Sequence, residues 1–361
     1  MDIRSVGWGF GGCNMHCEHC YNASILESHA CDFETLKKVA DKICPRIRDI
    51  NYGTGEFSFN PSTLKLARYI KAAYPQVRQA LTSNGTTVLL VQPEELPKLF
   101  HDIDISLDFP NPEEHNRFRG HPEAWHWVLE SLKRMQDVGM ERSIVTCVTS
   151  ETTDDHIEQF LELSAKFGAS WRTNWFRQTG RGKEHLRLTT PRFWQIIKLL
   201  AQKGVTFESL SDPLLSALLS HHEKNQPVGR CACGTLSCRI QTDLSVTPCV
   251  YLKGKAWSGG NIAETDMDQI YNSPTFRAVR ERQPPFCESC VYLAACHGGC
   301  ASRAFLHNGS LNNPDDFCPF YPDADKNAVN DMLEEISSLI TVTHGCDKVH
   351  DGYLCTMIVK P

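Results

Sequence analysis

The sequence predicts an α/β protein in which a parallel sheet covered by helices is followed by a cysteine-rich segment. Between residues 1 and 212, six short apolar runs alternate with six segments of helical periodicity, and this alternation is typical of a parallel sheet. Between residues 231 and 318 the periodicity fades and nine cysteines occur. Six units are three-quarters of an eight-unit barrel, although a doubly wound open sheet gives the same pattern.

The predicted strands and helices follow each other in order. The strands are predicted at residues 3–8, 50–52, 77–83, 103–107, 144–149 and 171–176. The helices are predicted at residues 33–43, 61–74, 93–100, 125–138, 154–167 and 191–203. Some ends have clear signals, since Thr153 can cap the helix that starts at residue 154 and Gly168 follows its last periodic position.

Composition excludes several classes of protein. The 361 residues carry a formal net charge of −6, which argues against nucleic acid or an anionic membrane as a partner held by charge. No apolar stretch reaches the length of a membrane span, and residues 1–4 do not resemble a signal peptide. The 17 cysteines, an odd number, favour metal binding in a reducing compartment over a disulfide framework. We therefore expect a cytoplasmic protein.

Three parts are expected along the chain. Residues 1–215 form the predicted barrel, residues 216–322 the cysteine-rich domain, and residues 323–361 a C-terminal helix and tail. The tail contains Cys346 and Cys355, whose spacing indicates no function. The cysteine-rich domain has little apolar patterning, so we expect it to fold around metal.

A short cysteine motif follows the first predicted strand. Cys13, Cys17 and Cys20 have the spacing CxxxCxxC, and three thiolates in one loop can hold three irons of a [4Fe-4S] cluster, which leaves the fourth iron for another ligand. A zinc loop or incidental buried cysteines are the alternatives. Zinc, however, usually takes paired CxxC motifs or a fourth protein ligand.

This motif, with His19 before its last cysteine and Tyr21 after it, resembles that of the radical S-adenosylmethionine (SAM) superfamily. The resemblance implies a partial (β/α)6 TIM-like barrel. It also implies that Cys13, Cys17 and Cys20 bind a cluster whose open iron is chelated by SAM. Cleavage of SAM would then yield a 5'-deoxyadenosyl radical, which abstracts hydrogen from a substrate.

Other positions fit the same family, and the resemblance makes them cofactor-binding candidates. Gly53, Thr54, Gly55 and Glu56 resemble its Gly-Gly-Glu motif, with Thr54 replacing the usual second glycine. The set also includes polar residues that end the third and fourth strands, and an arginine after the fourth. These residues are Ser83, Asn84, Ser106, Asp108 and Arg119. Taken alone, the GxGE sequence would indicate only a turn.

The later cysteines resemble the SPASM module, which binds two auxiliary [4Fe-4S] clusters. The resemblance assigns one cluster to Cys287, Cys290, Cys296 and Cys318. It assigns the other to Cys231, Cys249 and Cys300, with Cys238, Cys233 or an open iron as the fourth position. We chose Cys238. Leu244 stands where the module usually has glycine. A structural zinc module is the alternative.

Together these motifs predict a radical SAM/SPASM oxidoreductase with three [4Fe-4S] clusters and bound SAM. By resemblance, its substrate is a ribosomally made peptide and its electron donor a flavodoxin or ferredoxin. The alternative substrate is a sugar- or nucleoside-type metabolite, dehydrogenated or decarboxylated in natural-product biosynthesis. An electron carrier without catalysis is a third hypothesis, which the open iron position argues against. The sequence indicates no residue that would quench a product radical.

Overall fold

The computed structural model describes residues 2–23, 31–219, 231–343, 348 and 356–361. Six strands build the central sheet: β1 Ser5–Gly9, β2 Asp49–Thr54, β3 Arg78–Ser83, β4 Asp102–Ser106, β5 Arg142–Val148 and β6 Ser170–Trp175. They pair in chain order and all run parallel. The sheet does not close on itself. The predicted α/β fold with a partial six-unit barrel is therefore confirmed.

Helices connect these strands and cover the sheet. Their bounds are α1 Phe33–Ile43, α2 Pro61–Ala73, α3 Thr86–Leu90, α4 Leu96–Leu99, α5 Pro112–Arg119, α6 Ala124–Asp137, α7 Asp154–Phe167 and α8 Thr190–Gln202. Thr153 caps α7 as predicted, because its side chain accepts from His156 N–H, and Gly168 ends that helix with a φ of 55°. The short α3 and α5 were not predicted, since five to eight residues show little periodicity.

The chain continues through smaller elements. These are β7 Thr206–Leu210, α9 Pro213–Leu219, β8 Ser237–Ile240, β9 Ser245–Thr247, β10 Gly260–Asn261, α10 Met267–Tyr271, α11 Pro274–Arg280, α12 Leu293–Cys296, α13 Ala301–Asn308, α14 Lys326–Leu339, β11 Thr341–Val342 and β12 Thr356–Lys360. No helix in the described residues is both long and apolar enough to cross a membrane.

The cysteine-rich segment extends the barrel sheet. β8 pairs in parallel with β1, and β9 and β10 continue the sheet as antiparallel strands. Ile240, Ile262 and Phe276 are buried in the same apolar core as Trp8 of β1. This segment therefore has more apolar packing than we expected. The domain boundaries at residues 215 and 322 stay a proposal.

The C-terminal strand is inserted into the other side of the sheet. β12 lies antiparallel between β6 and β7, and Met357, Ile358 and Val359 are completely buried. The sequence predicts only a tail here, because one short apolar run far from its partners gives no sign of its position. Cys346 and Cys355, which precede β12, lie outside the described residues.

Candidate functional site

The loop after β1 brings the first cysteine motif to the carboxyl end of the sheet. Cys13, Cys17 and Cys20 line one cleft, which has about 1110 Å³ of free space including its open mouth. Backbone hydrogen bonds join residues 16–18 of the loop to residues 118 and 119 at the end of α5. The three thiols are therefore held in one place by the fold.

Polar side chains contact two of these thiols. Asn84 Nδ2 lies 3.9 Å from Cys13 Sγ, and Arg119 Nη1 lies 3.9 Å from Cys17 Sγ. Burial raises the pKa of the Cys13 thiol to about 12, and the nearness of Cys17 and Cys20 adds to this rise. Thiols in such a site ionise readily only when a metal takes the place of their protons.

The Gly53-to-Glu56 motif ends β2 beside the cysteine loop. Gly55 has a φ of +73°, and a Cβ there would lie 2.4 Å from the Gly12 carbonyl oxygen, so only glycine allows this approach. Gly53, Gly55 and Glu56 line the cleft. Thr54 is buried and its Oγ1 accepts from Arg239 Nη2 at 2.9 Å. Backbone thus meets the cleft at the two glycines, as the motif requires.

Glu56 is buried and surrounded by donors. Its carboxylate accepts from Ser83 Oγ at 2.7 Å, from Asn84 N at 2.8 Å and from Thr87 N at 2.9 Å. Burial raises the pKa of Glu56, and these donors lower it in part. The carboxylate therefore fixes the loop between β3 and α3. Ser106, at the end of β4, also lines the cleft.

A buried ion pair stands behind the cysteine loop. Arg119 Nε lies 2.6 Å from Asp108 Oδ2, and His19 Nε2 lies 3.8 Å from the same oxygen. Burial alone would raise the pKa of Asp108, but Arg119, His19 and His115 bring it below its usual value. His19 also stacks on Phe118, with ring centres 4.7 Å apart. Asp108 therefore carries a negative charge that holds Arg119 against Cys17.

Four cysteines of the later segment form an inner group beside this cleft. The Cys233 thiol is hydrogen-bonded to Cys231 and Cys249, which raises the pKa of Cys233 and lowers that of Cys249. Cys300 is close enough to raise the pKa of Cys249 by its charge. We call Cys231, Cys233, Cys249 and Cys300 the inner cysteine group.

The structure does not bring Cys238 into the inner cysteine group, in contrast to our choice from the sequence. Cys238 lies on β8 opposite Val6 of β1, and its side chain packs in the core of the barrel. Burial raises the pKa of its thiol to about 12. Cys233 occupies the position beside Cys231 and Cys249 instead.

An outer cysteine group contains the remaining motif residues, Cys287, Cys290, Cys296 and Cys318. All four line one small cavity. Its other walls are mostly apolar: Leu214, Leu218, Phe286, Tyr292, Leu293 and Phe320. Burial, together with the charges of Asp315, Cys287 and Cys290, raises the pKa of Cys318 to about 12. The set that the resemblance to SPASM assigns to one cluster thus lines one space.

A group of cysteines can hold a single zinc ion or an iron-sulfur cluster. Among the described residues, no three His, Cys, Asp or Glu side chains converge closely enough to hold one metal ion. A zinc site needs four ligands within about 2.3 Å of one point. In a [4Fe-4S] cluster each thiolate binds a different iron, so the sulfur atoms remain apart.

The sequence analysis did not identify several residues at or beside the cleft. Cys147 is half-buried and lines the cleft. Tyr251 also lines it, and its ring lies 5.3 Å from that of Tyr21. Lys253 covers Tyr21 at 4.9 Å, and burial lowers the pKa of Lys253 to about 8. Only Tyr251, two residues after a motif cysteine, had a signal that could have been followed.

Sequence comparison finds two matching families. The radical SAM superfamily matches residues 9–164, and the iron-sulfur cluster-binding domain SPASM matches residues 231–291. The chain is similar to an AdoMet-dependent heme synthase of Methanosarcina barkeri, with 26% identity over 88% of this chain and 97% of the relative. It is also similar to the mycofactocin maturase MftC of Mycolicibacterium smegmatis, with 25% identity over 85% of this chain and 80% of the relative.

A further relative is the antilisterial bacteriocin subtilosin biosynthesis protein AlbA of Bacillus subtilis, with 26% identity over 91% of this chain and 71% of the relative. Among solved structures, anSMEcpe with bound AdoMet and Kp18Cys peptide superimposes with a TM-score of 0.71 at 17% identity, covering 93% of this chain and 99% of the other. Streptococcus suis SuiB gives 0.68 at 15% identity, covering 87% and 76%. At these identities the structures show a shared fold.

Proposed function

We propose that this chain, a radical SAM enzyme with a C-terminal SPASM domain, is an oxidoreductase that modifies a ribosomally made peptide. One observation carries the proposal: a single cleft has the cysteine loop on one wall and Tyr251 on another. The backbone N–H of Tyr251 lies 3.5 Å from Cys249 Sγ in the inner cysteine group. A substrate in this cleft is therefore close both to the site of SAM cleavage and to a second redox group.

The cofactor set follows from the cysteines. Cys13, Cys17 and Cys20 would hold the cluster that binds SAM, and the inner and outer cysteine groups would hold two auxiliary clusters. We propose Cys233 as the fourth ligand of the inner group. When bound, the first cluster and SAM supply a 5'-deoxyadenosyl radical that abstracts hydrogen from the substrate. A flavodoxin or ferredoxin would deliver the electron.

The residues of the chain hold this chemistry in place. The backbone of Gly53 and Gly55 offers polar groups at close range, and Glu56 fixes the adjoining loop through Ser83 and Thr87. Asp108 holds Arg119 against Cys17, which favours the thiolate form of that ligand. The cleft lining also has an apolar part, formed by Val145, Phe176 and Val250.

Peptide modification is favoured by the relatives. MftC is named a maturase, AlbA a biosynthesis protein for a bacteriocin, and the anSMEcpe structure contains a bound peptide. None of the relatives named above is described as acting on a sugar or nucleoside. A haem-type substrate is the second candidate, because the Methanosarcina barkeri relative is named a heme synthase.

The experiment begins with iron and acid-labile sulfide per chain after anaerobic reconstitution. We expect about 12 irons in the wild type and about 8 in a Cys13/Cys17/Cys20→Ala triple variant. The reduced protein is then incubated with SAM and with synthetic peptides taken from short reading frames beside the gene, or, in a separate reaction, with SAM and an iron-free porphyrin. 5'-Deoxyadenosine should form, and one peptide should change mass.

Three outcomes are informative. Formation of 5'-deoxyadenosine together with a modified peptide supports the proposal. Formation of 5'-deoxyadenosine with a modified iron-free porphyrin, and with no peptide modified, favours the haem-type candidate. If wild type binds about 4 irons and also zinc, the auxiliary groups are structural, and oxidation through them must be abandoned.

A further inference from the structure

Arg177 connects the cleft with the inner cysteine group. It follows β6, lines the cleft, and is only 3% exposed. Its Nη2 atom lies 3.5 Å from Cys300 Sγ, and its Nε atom donates to Ser302 Oγ at 3.0 Å. Ser302 Oγ itself lies 3.2 Å from Cys300 Sγ. The Cys300 sulfur is thus contacted by a guanidinium and by the hydroxyl that anchors it.

Two further contacts fix the guanidinium in this place. Nη1 donates to the Trp175 carbonyl at 2.9 Å, and the Tyr251 ring lies against the guanidinium, with its centre 4.4 Å from Cζ. The cation is therefore shielded from water by an aromatic face. In such surroundings a charge acts on its neighbours more strongly than it would in water.

A cation in this position changes the reduction potential of a bound cluster, and the sign of the change follows from its charge. One-electron reduction adds one negative charge to a cluster, and hydrogen bonds and charges near its sulfur ligands set the reduction potential. A guanidinium beside Cys300 stabilises the more negative, reduced form. It would therefore raise the reduction potential of the group held by Cys300.

We propose that Arg177 is a positioning residue that raises the reduction potential of the inner auxiliary cluster through its contact with Cys300. This inference rests on the proposed function, because it requires a cluster at the inner cysteine group. It gives that cluster a defined role, since a raised potential makes the cluster on the cleft side the better electron acceptor.

The test compares Arg177→Gln and Arg177→Lys with the wild type as anaerobically reconstituted full chains. Each cluster is titrated with a redox mediator and followed by electron paramagnetic resonance. We expect Arg177→Gln to lower the midpoint potential of the inner cluster by about 59 mV or more. A shift of this size is a tenfold change in a one-electron equilibrium. Arg177→Lys retains the charge but lacks the planar fork, so it should recover part of the shift.

Arg192→Gln is the matched control. Arg192 pairs with Asp154 on the outside of the barrel, so its removal should leave all potentials unchanged. If Arg177→Gln does not retain the inner cluster, Arg177→Lys is compared with the wild type in its place, since it lacks the planar fork and should give a smaller shift of the same sign.

The outcomes separate this inference from the proposed function. The role of Arg177 is overturned if the potential of the inner cluster is unchanged in Arg177→Gln at full iron content, or in Arg177→Lys where that variant replaces it. The proposed function then remains intact. Equal shifts in Arg177→Gln and Arg192→Gln also overturn it, because the effect would then be one of net charge. A wild type without an inner cluster contradicts the proposed function itself.

Discussion

The Nη2 atom of Arg303 lies 2.7 Å from Oδ2 of Asp315, and neither side chain is exposed to solvent. Arg303 also pairs with Asp212, at 2.6 Å and 3.0 Å. Asp315 Oδ2 in turn accepts from the backbone N–H of Cys300 at 2.6 Å. This ion triad therefore ties the end of β7 to the segment that carries the motif cysteines.

Arg303→Met should destabilise the protein strongly. The substitution leaves Asp212 and Asp315 buried without their cation, and breaking a buried pair in this way costs about 3–5 kcal/mol. The free energy of unfolding in urea measures the effect. Lys198→Met is the control, because it breaks an exposed pair with Glu335 and should cost less than about 1 kcal/mol. Equal losses would show that the triad contributes no more than a surface pair.

Gly55→Ala should abolish SAM cleavage, because a Cβ there would lie 2.4 Å from Gly12 O and 2.7 Å from Phe10 O. The loop that carries the first cysteine motif would have to move. Gly139→Ala is the control: its φ is also positive, but a Cβ would meet nothing within 4 Å. It should lose only the roughly 1–2 kcal/mol that a left-handed conformation costs. The rate of 5'-deoxyadenosine formation distinguishes them, and similar rates in both would contradict the close approach.

Met357→Ala tests the C-terminal strand. Met357 is completely buried in β12, and truncating such a side chain costs about 2–5 kcal/mol. Lys360→Ala, at the exposed end of the same strand, should cost less than about 1 kcal/mol. Urea midpoints measure both. Equal midpoints would mean that β12 contributes little to the sheet.

Much of the barrel could be predicted because its signals are local. Thr153 and Gly168 mark the two ends of α7 by capping preferences alone. The outer cysteine group could likewise be recognised, since Cys287, Cys290 and Cys296 are close in sequence and their spacing is highly specific.

The rest depends on contacts between distant residues. β12 pairs with β6 across more than 180 residues of chain, and five residues give no signal of that partner. Cys233 and Cys238 are both near Cys231 in sequence, and spacing alone does not distinguish them. The pairing of β8 with β1 favours Cys233, because it places Cys238 opposite Val6 in the barrel sheet.

Cys233→Ala and Cys238→Ala form a matched pair that tests the inner cysteine group. Both substitutions remove a buried thiol, so their losses in packing are similar and only their ligand roles differ. Cys233 contacts Cys231 and Cys249, whereas Cys238 packs in the barrel core. We therefore expect the iron content of Cys233→Ala to fall from about 12 to about 8 irons per chain, and that of Cys238→Ala to stay at about 12. Loss of iron only in Cys238→Ala would restore the choice made from the sequence. Full iron in both variants would mean that the inner cluster leaves one iron open to the substrate. The substrate group that is oxidised would then bind directly to that iron.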